Sequence, residues 1–253
     1  MAVNEKLLHA SIFGFYLAVM IRVVMIGNFN EPSSAGFFKL YIKFSSRFLT
    51  KWTFIMIFTY YSCMVLVHLL NLISGYSKIS NKLRRIADTI FTVIVVPTGM
   101  FITPGFWITY NINRDLIFPT WLEEIIPGWV NHGVHTFNSI LPLMDLLLVK
   151  HTFSPWPETL YYTALYFGSY MVCLFGTYFQ HDFWLYPIFE KMTLLQSFLT
   201  CIAFVSMILL FHYIARLAGV KYGTCEVEMR QKKENHYSKN VSNGNVPLRQ
   251  KNK

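Results

Sequence analysis

Charge is what this chain has least of. Of its 253 residues only 14% are Asp, Glu, Lys or Arg, against about 25% in a soluble domain. Cysteine is scarce too. Cys63, Cys173, Cys201 and Cys225 contain no CxxC pair, so the spacing offers neither a zinc site nor a disulfide framework. Three of them sit in apolar runs, where a thiol packs as a small hydrophobe. Acids are outnumbered by bases, 13 to 22. Yet no basic face stands apart from the apolar segments, which argues against a nucleic-acid partner. No internal repeat is visible.

What remains is apolar. Hydrophobic residues make up 54% and aromatic ones 17%, and the mean hydropathy is +0.38. This is the composition of a polytopic membrane protein. Residues 1–220 form the membrane domain and 221–253 a basic tail. The tail holds eight bases against three acids, a balance of +5. Such a segment is expected to be disordered, cytosolic and drawn to anionic lipid. Cys225, at its start, is a palmitoylation candidate.

Six apolar stretches are long enough to span: Leu7–Ile26, Leu49–Ile73, Ile86–Tyr110, Trp129–Val149, Pro157–Phe179 and Lys191–Leu217. The first is too long for a signal-peptide core. Pro97, Gly99, Pro104 and Gly105 interrupt the third, which neighbouring helices tolerate. The expected fold is all-α, an integral bundle of six transmembrane helices with both termini cytosolic, in the plasma membrane or endoplasmic reticulum. Residues 74–85 and 150–156 are expected as short loops on the tail side. The first carries Lys78, Lys82, Arg84 and Arg85 without an acid, and the second Lys150. Loops 111–128 and 180–190, richer in acids, face the other way, as the positive-inside rule requires. Loop 27–47 dissents, with Lys39, Lys43 and Arg47 against Glu31, and reads as an amphipathic interfacial segment.

Chemistry gathers at Ile125–Thr136, reading IIPGWVNHGVHT. Pro127-Gly128 breaks what precedes it, and Asn131 suits a helix cap. That puts His132 and His135 in the first turn of a helix entering the membrane. Ionisable groups at membrane depth are costly and mark sites; the plainer reading leaves both imidazoles at the headgroups. Six-span topology brings Thr50, Thr53 and His135 to similar depth, with Arg114, Asp115, His181 and Asp182 on the same face. A hydroxyl and an imidazole so placed make a nucleophile–base pair. The positive end of a helix dipole at His135 favours the neutral, proton-accepting form. Against this, membrane threonines commonly bond their own backbone, Arg114-Asp115 reads as a loop ion pair, and Trp184 with Tyr186 as an aromatic belt. Three functions follow: an intramembrane esterase, a protein binding or transporting an anionic lipid, or a metal or haem site at His132, His135 and His181. H-x-x-H without a nearby acid or thiol is thin support for the last.

Three motifs carry a likeness: Asn113–Pro119 (NRDLIFP), Ile126–Thr136 (IPGWVNHGVHT) and Trp184–Glu190 (WLYPIFE). Through them the chain resembles the androgen-induced gene 1 family over most of residues 7–217, the tail excluded. The resemblance implies a six-span membrane hydrolase that cleaves fatty acid esters of hydroxy fatty acids, with a threonine nucleophile, a histidine and no cofactor. The family histidine is the second of the pair, His135. The family threonine closes an aromatic-Leu/Met-Thr motif after a basic residue, here Arg47-Phe48-Leu49-Thr50. Lys51 stands where the family is usually apolar, which leaves Thr53, one turn on, as a rival nucleophile. Lys51, Arg114, His132 and Trp184 are expected on the substrate side. Lys51 or Arg114 would pair with a free carboxylate on the lipid. Backbone N–H groups of Gly128–Gly133 are the expected oxyanion donors.

Overall fold

The computed structural model describes residues 4–27, 43–73 and 75–227. Most of the expected interfacial segment 27–47 and the tail beyond 227 lie outside the described residues. The chain builds α1 (Glu5–Gly27), α2 (Leu49–Leu70), α3 (Ser77–Ile90) and α4 (Val96–Asn113). After these come α5 (Thr120–Ile125), α6 (Gly128–His135), α7 (Phe137–Leu148), β1 (His151–Phe153), α8 (Trp156–His181), α9 (Leu194–Lys221) and β2 (Cys225–Val227).

Among the described residues, four helical segments are long and apolar enough to cross a membrane: Glu5–Ile26, Leu49–Leu70, Ser77–Leu116 and Leu194–Lys221. Their outward faces are apolar, as a lipid solvent requires; Leu195 is 67% exposed and Val24 54%. The protein is therefore an all-α membrane protein, but two of the six expected spans differ from the expectation. The fourth is broken at Thr136 into α6 and the 12-residue α7. The fifth, α8, has 26 residues, but Glu158, Gln180, His181 and its tyrosines make it more polar than a spanning helix.

Other boundaries move for local reasons. Residues 77–85 are helix rather than loop. Ser80, Arg84, Ala87 and Asp88 repeat at helical spacing; Ser80, Ala87 and Asp88 are buried, whereas Lys78 and Lys82 are exposed. The continuous segment from Ser77 contains a π-helical turn, Phe91–Val95, just before Pro97, whose missing N–H the wider turn accommodates. The expected tail begins in order: α9 runs to Lys221, and β2 pairs in parallel with β1, His151 opposite Cys225. Thr193 and Gln196 start α9 with a reciprocal capping box.

The largest core joins α1, α2, α7 and the π turn through Tyr16, Ile57, Tyr60, Tyr61, Phe91 and Leu146. A second core, of Phe44, Tyr170, Leu174, Trp184 and Phe189, seats the start of α2 against α8 and α9. Close approach of α4 to α7 depends on two residues. Pro142 has no N–H, so the Asn138 carbonyl four residues back loses its helical partner. Gly99 packs directly on that carbonyl: a Cβ at position 99 would stand 2.1 Å from Asn138 O. Gly99→Ala is therefore expected to lower the thermal midpoint in detergent, at a cost of about 1–3 kcal/mol. Gly168→Ala, where a Cβ meets nothing within 4 Å, should be neutral or stabilising. Equal midpoints for the two variants would contradict this packing.

Candidate active site

A cavity of about 640 Å³ opens among α2, α4, α6, α8 and α9. Its wall is mostly aliphatic and aromatic, with Phe54, Phe106, Phe118, Val130, Leu174 and Phe204 among the lining. Against that wall stand a few polar side chains, chiefly Thr50, Lys51, Asn131, His135, Tyr170 and Tyr186. An apolar pocket with convergent polar groups is the usual form of a lipid-sized site.

Thr50 reaches the cavity because of where α2 begins. Phe48 is extended (φ −71°, ψ 138°) and the helix starts at Leu49. Thr50 lies in the first turn; the carbonyl four residues behind it, that of Ser46, belongs to a preceding 3-10 turn and accepts from Trp52 Nε1 at 3.1 Å. The Thr50 hydroxyl has no hydrogen-bond partner among the described residues. Thr92, Thr109 and Thr177 spend theirs on the carbonyls of Asp88, Gly105 and Cys173 at 2.7–2.8 Å, whereas the buried hydroxyls of Thr53 and Thr98 have no partner among the described residues either. Thr53 is fully buried and does not line the cavity. Lys51 does line it and has no acid partner among the described residues.

His135 is the last residue of α6, not a residue of its first turn. The dipole expectation is overturned, because a helix C-terminus carries the negative end. Asn131 is likewise not the cap; α6 starts three residues earlier, after Pro127, and Asn131 sits one turn before His135. Its Oδ1 is 2.6 Å and its carbonyl oxygen 3.2 Å from His135 Nδ1. Both are acceptors, so Nδ1 carries the proton and Nε2 keeps the lone pair. Phe106 holds the ring flat, 3.6 Å between centroids and 9° between planes. Thr103 donates to the His135 carbonyl at 2.7 Å, satisfying an end that the broken helix leaves open.

Arg114, His132, His181 and Trp184 lie off the cavity wall. His132 is exposed, stacks on Trp107 and places Nδ1 2.9 Å from Thr136 Oγ1. Arg114 pairs with Glu123 at 3.1 Å rather than with Asp115. Trp184 is buried against Tyr178, ring centroids 4.2 Å apart. His181 packs on Phe44, so His132, His135 and His181 do not share a metal-sized space. The N–H groups of Val130 and Asn131 are already taken by the Pro127 carbonyl, at 2.9 and 3.1 Å. Among Gly128–Gly133, those two are not free to hold an oxyanion.

A second polar cluster occupies the other end of α2; Thr50 and His68 stand roughly 27 Å apart at 1.5 Å per residue. Here Asp145, fully buried, receives Tyr60 Oη at 3.1 Å and faces His9 Nε2 at 3.1 Å. His151 bridges from Asp88 at 3.2 Å. Burial alone would pull the His151 pKa down; the hydrogen bond to Asp88 and the charge of Asp145 outweigh it and leave the pKa raised. Glu5, His9 and His68 bring one ligand atom each within 4.8 Å of one another. Those groups already have partners: His9 Nδ1 lies 2.9 Å from His68 Nε2, and Glu5 pairs with Arg84 at 2.8 Å.

Comparison with known proteins agrees with the family resemblance. The human androgen-dependent TFPI-regulating protein is 35% identical over 108 residues, 43% of this chain and 47% of the relative. The human androgen-induced gene 1 protein is 31% identical over 111 residues, 43% and 46% respectively. The matched part thus spans about half the length of these curated relatives. No solved structure matches. The family model described as FAR-17a/AIG1-like protein matches residues 7–219, through every helix that forms the cavity, and this chain belongs to that family.

Proposed function

We propose that this protein is an intramembrane lipid esterase that hydrolyses fatty acid esters of hydroxy fatty acids. One observation carries the reading: Thr50 and His135, from separate helices, line the same apolar cavity, and Lys51, without an acid partner among the described residues, lies beside Thr50. In this reading Thr50 Oγ1 attacks the ester carbonyl and His135 Nε2 accepts its proton. The proton then passes to the departing alkoxide, and water releases the acyl group from Thr50 by the same route in reverse. Asn131 keeps the imidazole in the tautomer this requires, as the buried carboxylate does in a serine triad. The cavity wall suits two acyl chains, and Lys51 suits the free carboxylate.

A carrier of anionic lipid uses the same lysine and the same wall without turnover. Two measurements on purified protein in detergent separate the readings: hydrolysis of a hydroxy fatty acid ester, and covalent labelling by a fluorophosphonate. Both are expected. Capping the substrate carboxylate as a methyl ester should raise KM by about tenfold, the scale of one lost ion pair of about 1.4 kcal/mol. Lys51→Met should abolish that preference. Lipid retained by the protein with neither turnover nor labelling would establish the carrier.

A further inference from the structure

The first turn of α2 leaves a proton over. Leu49 N–H lies 3.1 Å from Tyr170 Oη and 3.0 Å from Tyr186 Oη, and the two phenol oxygens are 3.1 Å apart. Each phenol owns one proton. One of the two fills the contact between the oxygens. The Leu49 amide is a donor and takes none. The second phenol proton therefore has no acceptor among the described residues, although both rings line the cavity. A hydroxyl donor left over beside an apolar space is satisfied by an acceptor from outside the protein. Beside it, the Thr50 amide is one of the orphan donors at the start of α2 and has no partner among the described residues.

We infer that the Tyr170–Tyr186 pair is the oxyanion donor of this site, one phenol O–H and the Thr50 N–H together holding the ester carbonyl oxygen. The inference rests on the esterase reading. As the Thr50 Oγ1–carbon bond forms, the carbonyl π pair moves onto oxygen and the threonine proton goes to His135 Nε2. The phenol donates a hydrogen bond to the oxyanion and keeps its proton. The pair of electrons returns as the carbon–alkoxide bond breaks, and His135 gives its proton to the alkoxide. Such donors act because they are aimed in advance at the charge that develops. Packing aims these: Trp52 meets Tyr170 edge-on at 5.4 Å, and Phe48 meets Tyr186 edge-on at 5.4 Å. Two oxygens on one N–H are more than a cap needs, which leaves the spare donor to explain.

The test uses full-length wild type, Tyr170→Phe, Tyr186→Phe and the double variant, with active sites counted by fluorophosphonate. The double variant should lose on the order of 10²–10³ in kcat per site with KM little changed. A long-chain trifluoromethyl ketone, whose hemiketal oxyanion mimics the intermediate, should weaken by a similar factor. A cap alone predicts a lower thermal midpoint with kcat per site and ketone inhibition unchanged, and that result overturns the inference. Each single variant keeps one oxygen on Leu49 N–H. Should the double variant not accumulate, at least one single variant must fall tenfold or more in kcat; both within twofold of wild type overturns the inference too. Wild type without turnover or labelling would fail the esterase reading itself, a distinct result.

Discussion

His135→Ala is expected to lower ester turnover by a factor on the order of 10²–10⁴, the range for losing a positioned general base. The protein still accumulates in membranes, because the ring is half-buried and stacks on a single aromatic, Phe106. Asn131→Ala lies between this variant and wild type: the imidazole stays, but nothing fixes which nitrogen carries the proton. His132→Ala falls by less than tenfold, since its ring faces Trp107 and Thr136 rather than the cavity. Turnover per folded protein, measured on the purified variants, decides this. Equal losses at His132 and His135 would sink the assignment of the base.

Thr50→Ala is expected to remove fluorophosphonate labelling and turnover together, because in the esterase reading no hydroxyl remains at the attacking position. Thr50→Ser retains activity, with the same oxygen and a freer χ1. Thr53→Ala leaves labelling intact; its hydroxyl is buried behind the wall, and the expected cost is in stability. The contrast is large because an acyl acceptor cannot be replaced by a neighbour one turn away, roughly 4.5 Å along the helix. Labelling lost only in Thr53→Ala would move the nucleophile inward. Full turnover in the Thr50/Thr53 double alanine would remove threonine chemistry and leave the carrier in front.

Much of this was legible in the chain. Apolar runs mark α1, α2 and α9, and the end of α4, within a few residues, because a lipid-facing helix advertises itself by hydropathy alone. The same signal fails for α3, whose buried face is Ser80, Ala87 and Asp88. It also fails at Thr136, where cross-links from Tyr16 to the Phe137 carbonyl and from Thr103 to the His135 carbonyl support a break. No local pattern announces bonds between residues more than 30 positions apart. Asn131 could have been read: Asn and His at i and i+4 share a helix face, and the cap reading hid that pairing. Lys51, a departure from the family pattern, marks the cavity's own cation. Tyr170 and Tyr186 meet each other and the Leu49 amide, a three-element contact with no sequence spacing to betray it.

If the protein hydrolyses a lipid ester as proposed, the cavity wall also fixes how the substrate is counted. Much of it comes from α2, α4 and α9, helices whose outer faces lie in lipid. A double-chain ester partitions into the bilayer by about 0.8 kcal/mol for each buried methylene, so a site of this kind meets almost none of it in water. Saturation then follows the mole fraction of ester among lipids, not its molarity. Diluting the suspension leaves that fraction untouched, while each added molecule of inert lipid lowers it.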